Sequence, residues 1–362
     1  MFFFFDRYSM GGAQKVHLDI LESVEDVEKD LFFTRKSPDH VMKDHFEKIK
    51  DTQIHHIQWC CDAILMRLFS VHFFSFYINR HANARVLSSN STFFYDMLPF
   101  FKRSVFTIEL LHNFSYGKNG MEFFGLLNHR YISLRTVIDE ATHQNIIKQY
   151  FIYRVDASYV KRIRLIEFGV TIPEQLQKDF DLPLEVVYAG RGGTQKRIHL
   201  ISQIAEHFIS TDKNIRFHFA GTMIDELSET VRKRSTLHGV ISEDKVISKV
   251  FMDCHVLLMT SAYEGFPMVI KESMANGCVP VVTGLPGIRS HLQHMKTAML
   301  IEELKNEHEI IKEGIEQIDV LLENKQLLEE LSSNCYHYAR EHFNKDTFRE
   351  AYYAILCAKY PL

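Results

Sequence analysis

From Leu184 to Val282 one pattern recurs: a short β-branched or aromatic run, a glycine or small polar residue, then apolar residues at helical spacing. "LEVVYAG" leads into "QKRIHLISQIAEHF", and "IRFHFAG" is a second run ending in glycine. "KVISKVFMDC" and "MVIKESMANG" read as helices, "HVLLMT" and "VPVVT" as strands. Short strands alternating with helices satisfy their backbone groups as βαβ units on a parallel sheet. No other feature restricts the fold so tightly. The N-terminal half is noisier, with "FFFF", "LFFT", "ARVLSS", "VFTIELLH" and "YISLRT" as strands. At 362 residues the chain exceeds the size of one hydrophobic core, so two α/β, Rossmann-like domains are expected. The mixed polar and proline-containing stretch around 166–183 sets the boundary. The expectation is 1–168 for the first domain and 169–344 for the second, with a helix at about 345–362 packing back on the first.

The hydrophobic (46%) and charged (24%) fractions are those of an ordinary folded chain, and a net charge of −4 offers no footprint for nucleic acid. Six scattered cysteines form no disulfide framework, which suits a reducing, cytoplasmic setting. The opening "MFFFFDRYSMGG" lacks the basic region of a secretory signal and reads as a first strand. "IQWCCDAILMRLFSVHFFSFYI" (57–78) has membrane-spanning length, but Asp62, Arg67 and His72 interrupt it. It is expected to be a helix packed on a sheet. The aromatic and basic content of 57–103 leaves two readings open: contact with a lipid surface, or internal packing. "DFD" at Asp179–Asp181 precedes a strand and reads as a solvated acidic turn.

In doubly wound sheets, ligands sit beyond the carboxyl ends of the strands. Three features fall at such ends. "SMGGAQK" puts Gly12 where a helix starts and backbone can approach a ligand. "AGRGGTQKR" offers Arg191 and Lys196 around a Gly-Gly pair, a planar fork and a point charge suited to a diphosphate. It lacks the spacing of an ATP-binding P-loop. "TSAYEGFPMVIKE" places Glu264 in a loop, Pro267 at the first helical position, and Glu272 one to two turns into the helix. Ionised carboxylates only accept hydrogen bonds, so these glutamates suit sugar or ribose hydroxyls, and the cations suit phosphate. The histidine and cysteine pairs show no metal-site spacing.

"YAGR…K", "FAG", "LHGVISED" and "EGFPMVIKESMANGCVPVVTGLPG" follow one another as in retaining family-4 glycosyltransferases of GT-B fold, and "GGAQKV" is similar to the N-terminal motif of many bacterial members. The resemblance is strong over 184–290 and loose before it. It implies two Rossmann-like domains facing each other across a cleft, and transfer of a sugar from a nucleotide diphosphate-sugar with retained configuration. Arg191 and Lys196 would hold the diphosphate. Glu264, Gly265 and the backbone of Phe266, Pro267, Met268 and Val269 would hold the transferred sugar, and Glu272 the ribose. Gly239 and Val240 would border the base, and Gly12 the diphosphate from the opposite domain. His112, in "ELLHNFSYG", resembles the cleft histidine that meets sugar or acceptor. The implied partners are a UDP- or GDP-sugar and a saccharide or lipid-linked saccharide acceptor, as in cell-envelope polysaccharide synthesis at the inner face of the plasma membrane. No metal or other cofactor is implied, because the cations and helix dipoles neutralise the leaving group. Two departures stand out: "EFGVTIP" where many members read "NGVD", and Arg197 where a glycine usually follows the lysine. A GT-B epimerase or hydrolase, or a catalytically silent binding subunit, shares the donor pocket; the first would need extra acid–base carboxylates that the N-terminal half does not display.

Overall fold

The structure, a computed structural model, describes residues 1–9, 11–115, 120–181 and 183–357. The chain divides into two compact units, Met1–Phe168 with Asp346–Leu362, and Gly169–Lys345. The first is built on β1 (Phe2–Phe5), β2 (Lys29–Phe33), β3 (Thr52–His56), β4 (Arg85–Ser89), β5 (Phe106–Leu111), β6 (Leu134–Val137) and β7 (Ile163–Leu165). They form a seven-stranded sheet in the order β3-β2-β1-β4-β5-β6-β7, parallel throughout. A central parallel strand is covered on both faces, which is why β1 can be four consecutive phenylalanines, each no more than 3% exposed.

The second unit carries β8 (Leu184–Gly190), β9 (Ile215–Gly221), β10 (Thr236–Gly239), β11 (Val256–Met259), β12 (Val279–Thr283) and β13 (Met299–Ile301). Its order, β10-β9-β8-β11-β12-β13, reverses direction at β8, giving a Rossmann sheet with its switch point between β8 and β11. β8 and β9 both end in glycine because the strand ends touch: a Cβ on Gly221, at φ +131°, would lie 1.8 Å from the Gly190 carbonyl oxygen.

Strands β3, β7, β10 and β13 are not apparent in the sequence pattern. All are sheet-edge strands, and three of them hold only three or four residues. β3, "TQIHH", is half-exposed and offers no apolar run. The single helix expected over 57–78 is two, Gln58–Asp62 and Ile64–Ile78, because Ala63 between them is extended. Among the described residues no helix is long and apolar enough to cross a membrane.

The helix Lys345–Cys357 belongs to the first unit from Asp346 onward. Tyr352 donates to Thr136 Oγ1 (3.0 Å), Arg85 donates to the Ile355 carbonyl (2.8 Å), and Arg349 pairs with Asp19 and Glu22. Residues 358–362 of the expected helix lie outside the described residues.

Candidate donor site

The segment after β8 is shaped by backbone angles. Gly193, at φ +111°, makes the turn that Lys196 N closes on the Gly193 carbonyl (3.0 Å). Arg197 then takes the left-handed conformation, φ 49°, as the N-cap of helix Ile198–Ser210. That position favours glycine, and the arginine is held there by its own side chain. Its guanidinium, buried, donates to the carbonyls of Thr260 (2.6 Å), Ser261 (2.9 Å) and Leu304 (3.0 Å). Thr260 Oγ1 returns a bond to the Arg197 carbonyl (3.1 Å), Ala262 N donates to the Gln195 carbonyl (2.8 Å), and Gln195 Nε2 to that of Tyr263 (2.9 Å).

The loop after β8 is thereby sewn to the loop after β11. The product of that sewing is an ion pair between Lys196 Nζ and Glu264 Oε1, both side chains less than a fifth exposed. Charge and hydroxyl recognition, assigned by sequence reasoning to different parts of a ligand, meet at one point. From below, Gly287 packs so closely that a Cβ would come within 2.4 Å of the Gly265 carbonyl oxygen, and Thr283 Oγ1 donates to the Ser261 carbonyl (2.8 Å).

Helix Met268–Ala275 follows. Pro267 is its N-cap and not its first residue: ψ 141° keeps it extended. The first helical amides are therefore those of Met268 and Val269, which lack partners within the helix and can meet an anion or sugar oxygen. The Phe266 side chain is buried against His291, Phe343 and Lys271, so only its backbone is available to a ligand. Glu272 is half-buried on the same helix, and Gly265 is exposed. Arg191 is exposed, its carbonyl held by Tyr188 Oη (2.7 Å). Burial, and then the nearby Glu264 and Glu226 charges, push the Tyr188 phenol up. Gly239, at φ +66°, ends β10, with Val240 exposed beside it. Among the described residues no group of three or more His, Cys, Asp or Glu could hold a metal ion. Asp179 and Asp181 are exposed, and Asp181 pairs with Lys325.

In the first unit Gly12 is the first residue of helix Gly12–Glu22, with open space around the position of a Cβ. His112 directly follows β5, and its Nε2 lies 3.1 Å from Nε2 of His17 on the Gly12 helix. His17 is fully buried and stacks on Phe5 with ring centroids 3.9 Å apart. Burial lowers the His112 pKa to about 4, and burial followed by the His112 charge lowers that of His17.

Residues 174–342 match the family model described as Glycosyl transferases group 1. The match spans most of the second unit. Among curated proteins no sequence matches the chain. Solved structures match over both units. Anabaena Alr3699/HepE in complex with UDP is 16% identical, with 98% of each chain covered and a TM-score of 0.75. The lipopolysaccharide outer core galactosyltransferase WaaB is 17% identical, covering 99% of this chain and 100% of its own, TM-score 0.69. S. aureus TarM is 19% identical over 81% of this chain and 58% of its own, TM-score 0.62. The fold is GT-B.

Three residues of the site escape sequence reasoning. Arg197 reads as a missing glycine and is the tie that holds the Glu264 loop. Glu226 of the second unit accepts from Gly193 N (2.7 Å), placing a carboxylate on the amide side of the glycine loop. His17 of the first unit has the spacing of an ordinary core position, and no local signal marks it.

Proposed function

We propose that the protein transfers a hexosyl group from a UDP- or GDP-sugar to a saccharide or lipid-linked saccharide, with retention of anomeric configuration, at the cytoplasmic face of an envelope-building membrane. The observation that carries this reading is the Lys196–Glu264 pair, fixed by the bonds between its two loops beside the first amides of helix Met268–Ala275. A compact cation and an acceptor-only carboxylate at one point suit a ligand that is phosphate on one side and polyol on the other. The UDP and UDP-glucose complexes of HepE support the same donor class.

In this reading Lys196 turns from Glu264 to the incoming diphosphate, Arg191 adds a second cation, and Glu264 accepts from sugar hydroxyls. Glu272 accepts from the ribose, and Gly239 and Val240 border the base. The second unit thus serves the donor; in the first, Gly12 borders the diphosphate and His112 meets the reacting sugar or acceptor. The bond from the anomeric carbon to the diphosphate oxygen breaks as the acceptor oxygen bonds to the same face. The acceptor proton passes to the departing phosphate oxygen, whose charge Lys196 and Arg191 stabilise without a metal. Lys196→Ala and Glu264→Ala each lower transfer by about a hundredfold or more while leaving the fold intact. Turnover near that of the parent in either variant sinks the assignment. Thermal shift against UDP-, GDP- and ADP-sugars ranks the donor base.

A further inference from the structure

The helix Ile64–Ile78 is built inside out. Its buried positions are Ser70, Val71, Ser75 and Ile78, and the Ser75 hydroxyl finds no hydrogen-bond partner among the described residues. Most of its large apolar side chains point the other way, with Val71, Phe74 and Ile78 on the core side. Leu65, Phe69, Phe73 and Phe76 form one stripe at three- and four-residue spacing and are 82%, 66%, 52% and 65% exposed. The Phe69 and Phe73 rings stack with centroids 6.3 Å apart. A helix facing water on that side would carry the opposite arrangement.

The border of the stripe carries positive charge at one end. Arg80 sits 5.9 Å over the Phe76 ring. Asn79 ties the following segment to the helix end, donating to the Phe100 carbonyl (2.9 Å) and accepting from Lys102 N (2.8 Å). That holds exposed Lys102 and Arg103 next to Arg80. Arg67 is neutralised by Asp96, which leaves Asp62, at the far end, as the exposed carboxylate of this helix pair. Trp59, 62% exposed, precedes the helix and Tyr77 closes it, the two ring types that favour a membrane interface. With 15 residues the helix is too short to span a bilayer, but long enough to lie along one.

We propose that this face lies in the headgroup region of an anionic membrane, with Leu65, Phe69, Phe73 and Phe76 toward the acyl chains and Arg80, Lys102 and Arg103 against lipid phosphates. A second copy of the chain would bring to these cations the same cations and one carboxylate. The proposal deepens the lipid-linked acceptor reading and does not depend on the donor site.

The test uses the full chain with vesicles of phosphatidylcholine, or of an equal mixture of phosphatidylcholine and phosphatidylglycerol. Trp59 is the chain's only tryptophan, so its emission reports directly on this face. Mixed vesicles sediment the protein and shift the emission to the blue. Neutral vesicles, Lys102→Glu/Arg103→Glu and Phe69→Ser/Phe73→Ser each weaken binding by about tenfold or more. The charge variant keeps the test valid should the serine variant misfold by circular dichroism. Failure to bind mixed vesicles, or equal binding to neutral ones, overturns the proposal. So does a dimer in solution that the serine variant dissociates, which would make a second copy the occupant. UDP binding persists in both variants; its absence from the parent protein would strike the donor reading and leave the docking face standing.

Discussion

Replacing Arg197 separates two opposing effects at a single residue. The guanidinium makes three bonds to backbone carbonyls, and the backbone beneath it sits at φ 49°. A hydrogen bond from a charged donor is worth about 1.5 kcal/mol net at the low end, so losing three costs about 4–5 kcal/mol. The left-handed conformation costs a side-chain-bearing residue about 1–2 kcal/mol, which glycine does not incur. Arg197→Ala loses the bonds and keeps the strain; Arg197→Gly loses the bonds and sheds it. Alanine is therefore the more damaging change, by about 1–2 kcal/mol, although glycine is the more drastic one in chemical terms. In a unit of this size each kcal/mol moves the transition by about 2–4 °C. Differential scanning calorimetry resolves this, with the second unit's transition identified as the one UDP raises. Arg197→Lys falls between, since an ammonium cannot reproduce the fork. If alanine and glycine both melt with the parent, or alanine melts above glycine, the guanidinium does not hold the Glu264 loop and the reasoning fails.

Three further outcomes follow from the same structure. Glu226→Ala frees the Gly193 amide and removes a negative charge from the glycine loop, so UDP binds more tightly by calorimetry; weaker binding would show that Glu226 only braces the loop. Turnover persists in the presence of EDTA, and its abolition would return a metal to the mechanism. His112, with its pKa near 4 against an ordinary 6.5, and His17, lowered by burial and then by the His112 charge, stay neutral in the folded protein while the unfolded chain takes up protons below about 6.5. Their contribution to stability is complete above that pH and is lost as pH falls toward 4. The thermal midpoint of the first unit tracks the loss, and titration of His112 near 6.5 by NMR would contradict it.

The βαβ architecture was legible because the central strands are covered on both faces and so read as unbroken apolar runs, "FFFF" and "LEVVYAG" above all. Edge strands lack such a run: "TQIHH" is half-exposed, and "MLI", although buried, holds only three residues. Within the site, glycine and proline punctuation located the loop of Glu264, but misplaced Pro267 by one position, since proline suits both the N-cap and the residue after it. The contact between Lys196 and Glu264 spans 68 residues and depends on two loops meeting, so no local pattern encodes it. Arg197 misled for a different reason. Residue type signals which backbone conformation is cheap, not which one a side chain with distant partners can enforce. Glu109 and Arg135 look like surface charges in their strands, yet adjacent register on β5 and β6 makes them a buried pair.

The return of residues 346–357 to the first unit bears on how the chain is made. Thr136, Arg85 and Asp19 wait for Tyr352, the Ile355 carbonyl and Arg349, which leave the ribosome only after the entire second unit has been synthesised. Vectorial synthesis ordinarily favours completing the N-terminal domain first. Here the order inverts: the unit translated second finishes first, while its predecessor stays open on one side until residues 346–357 have been made. Pauses or truncations between residues 169 and 357 therefore act on the N-terminal unit, hundreds of residues upstream.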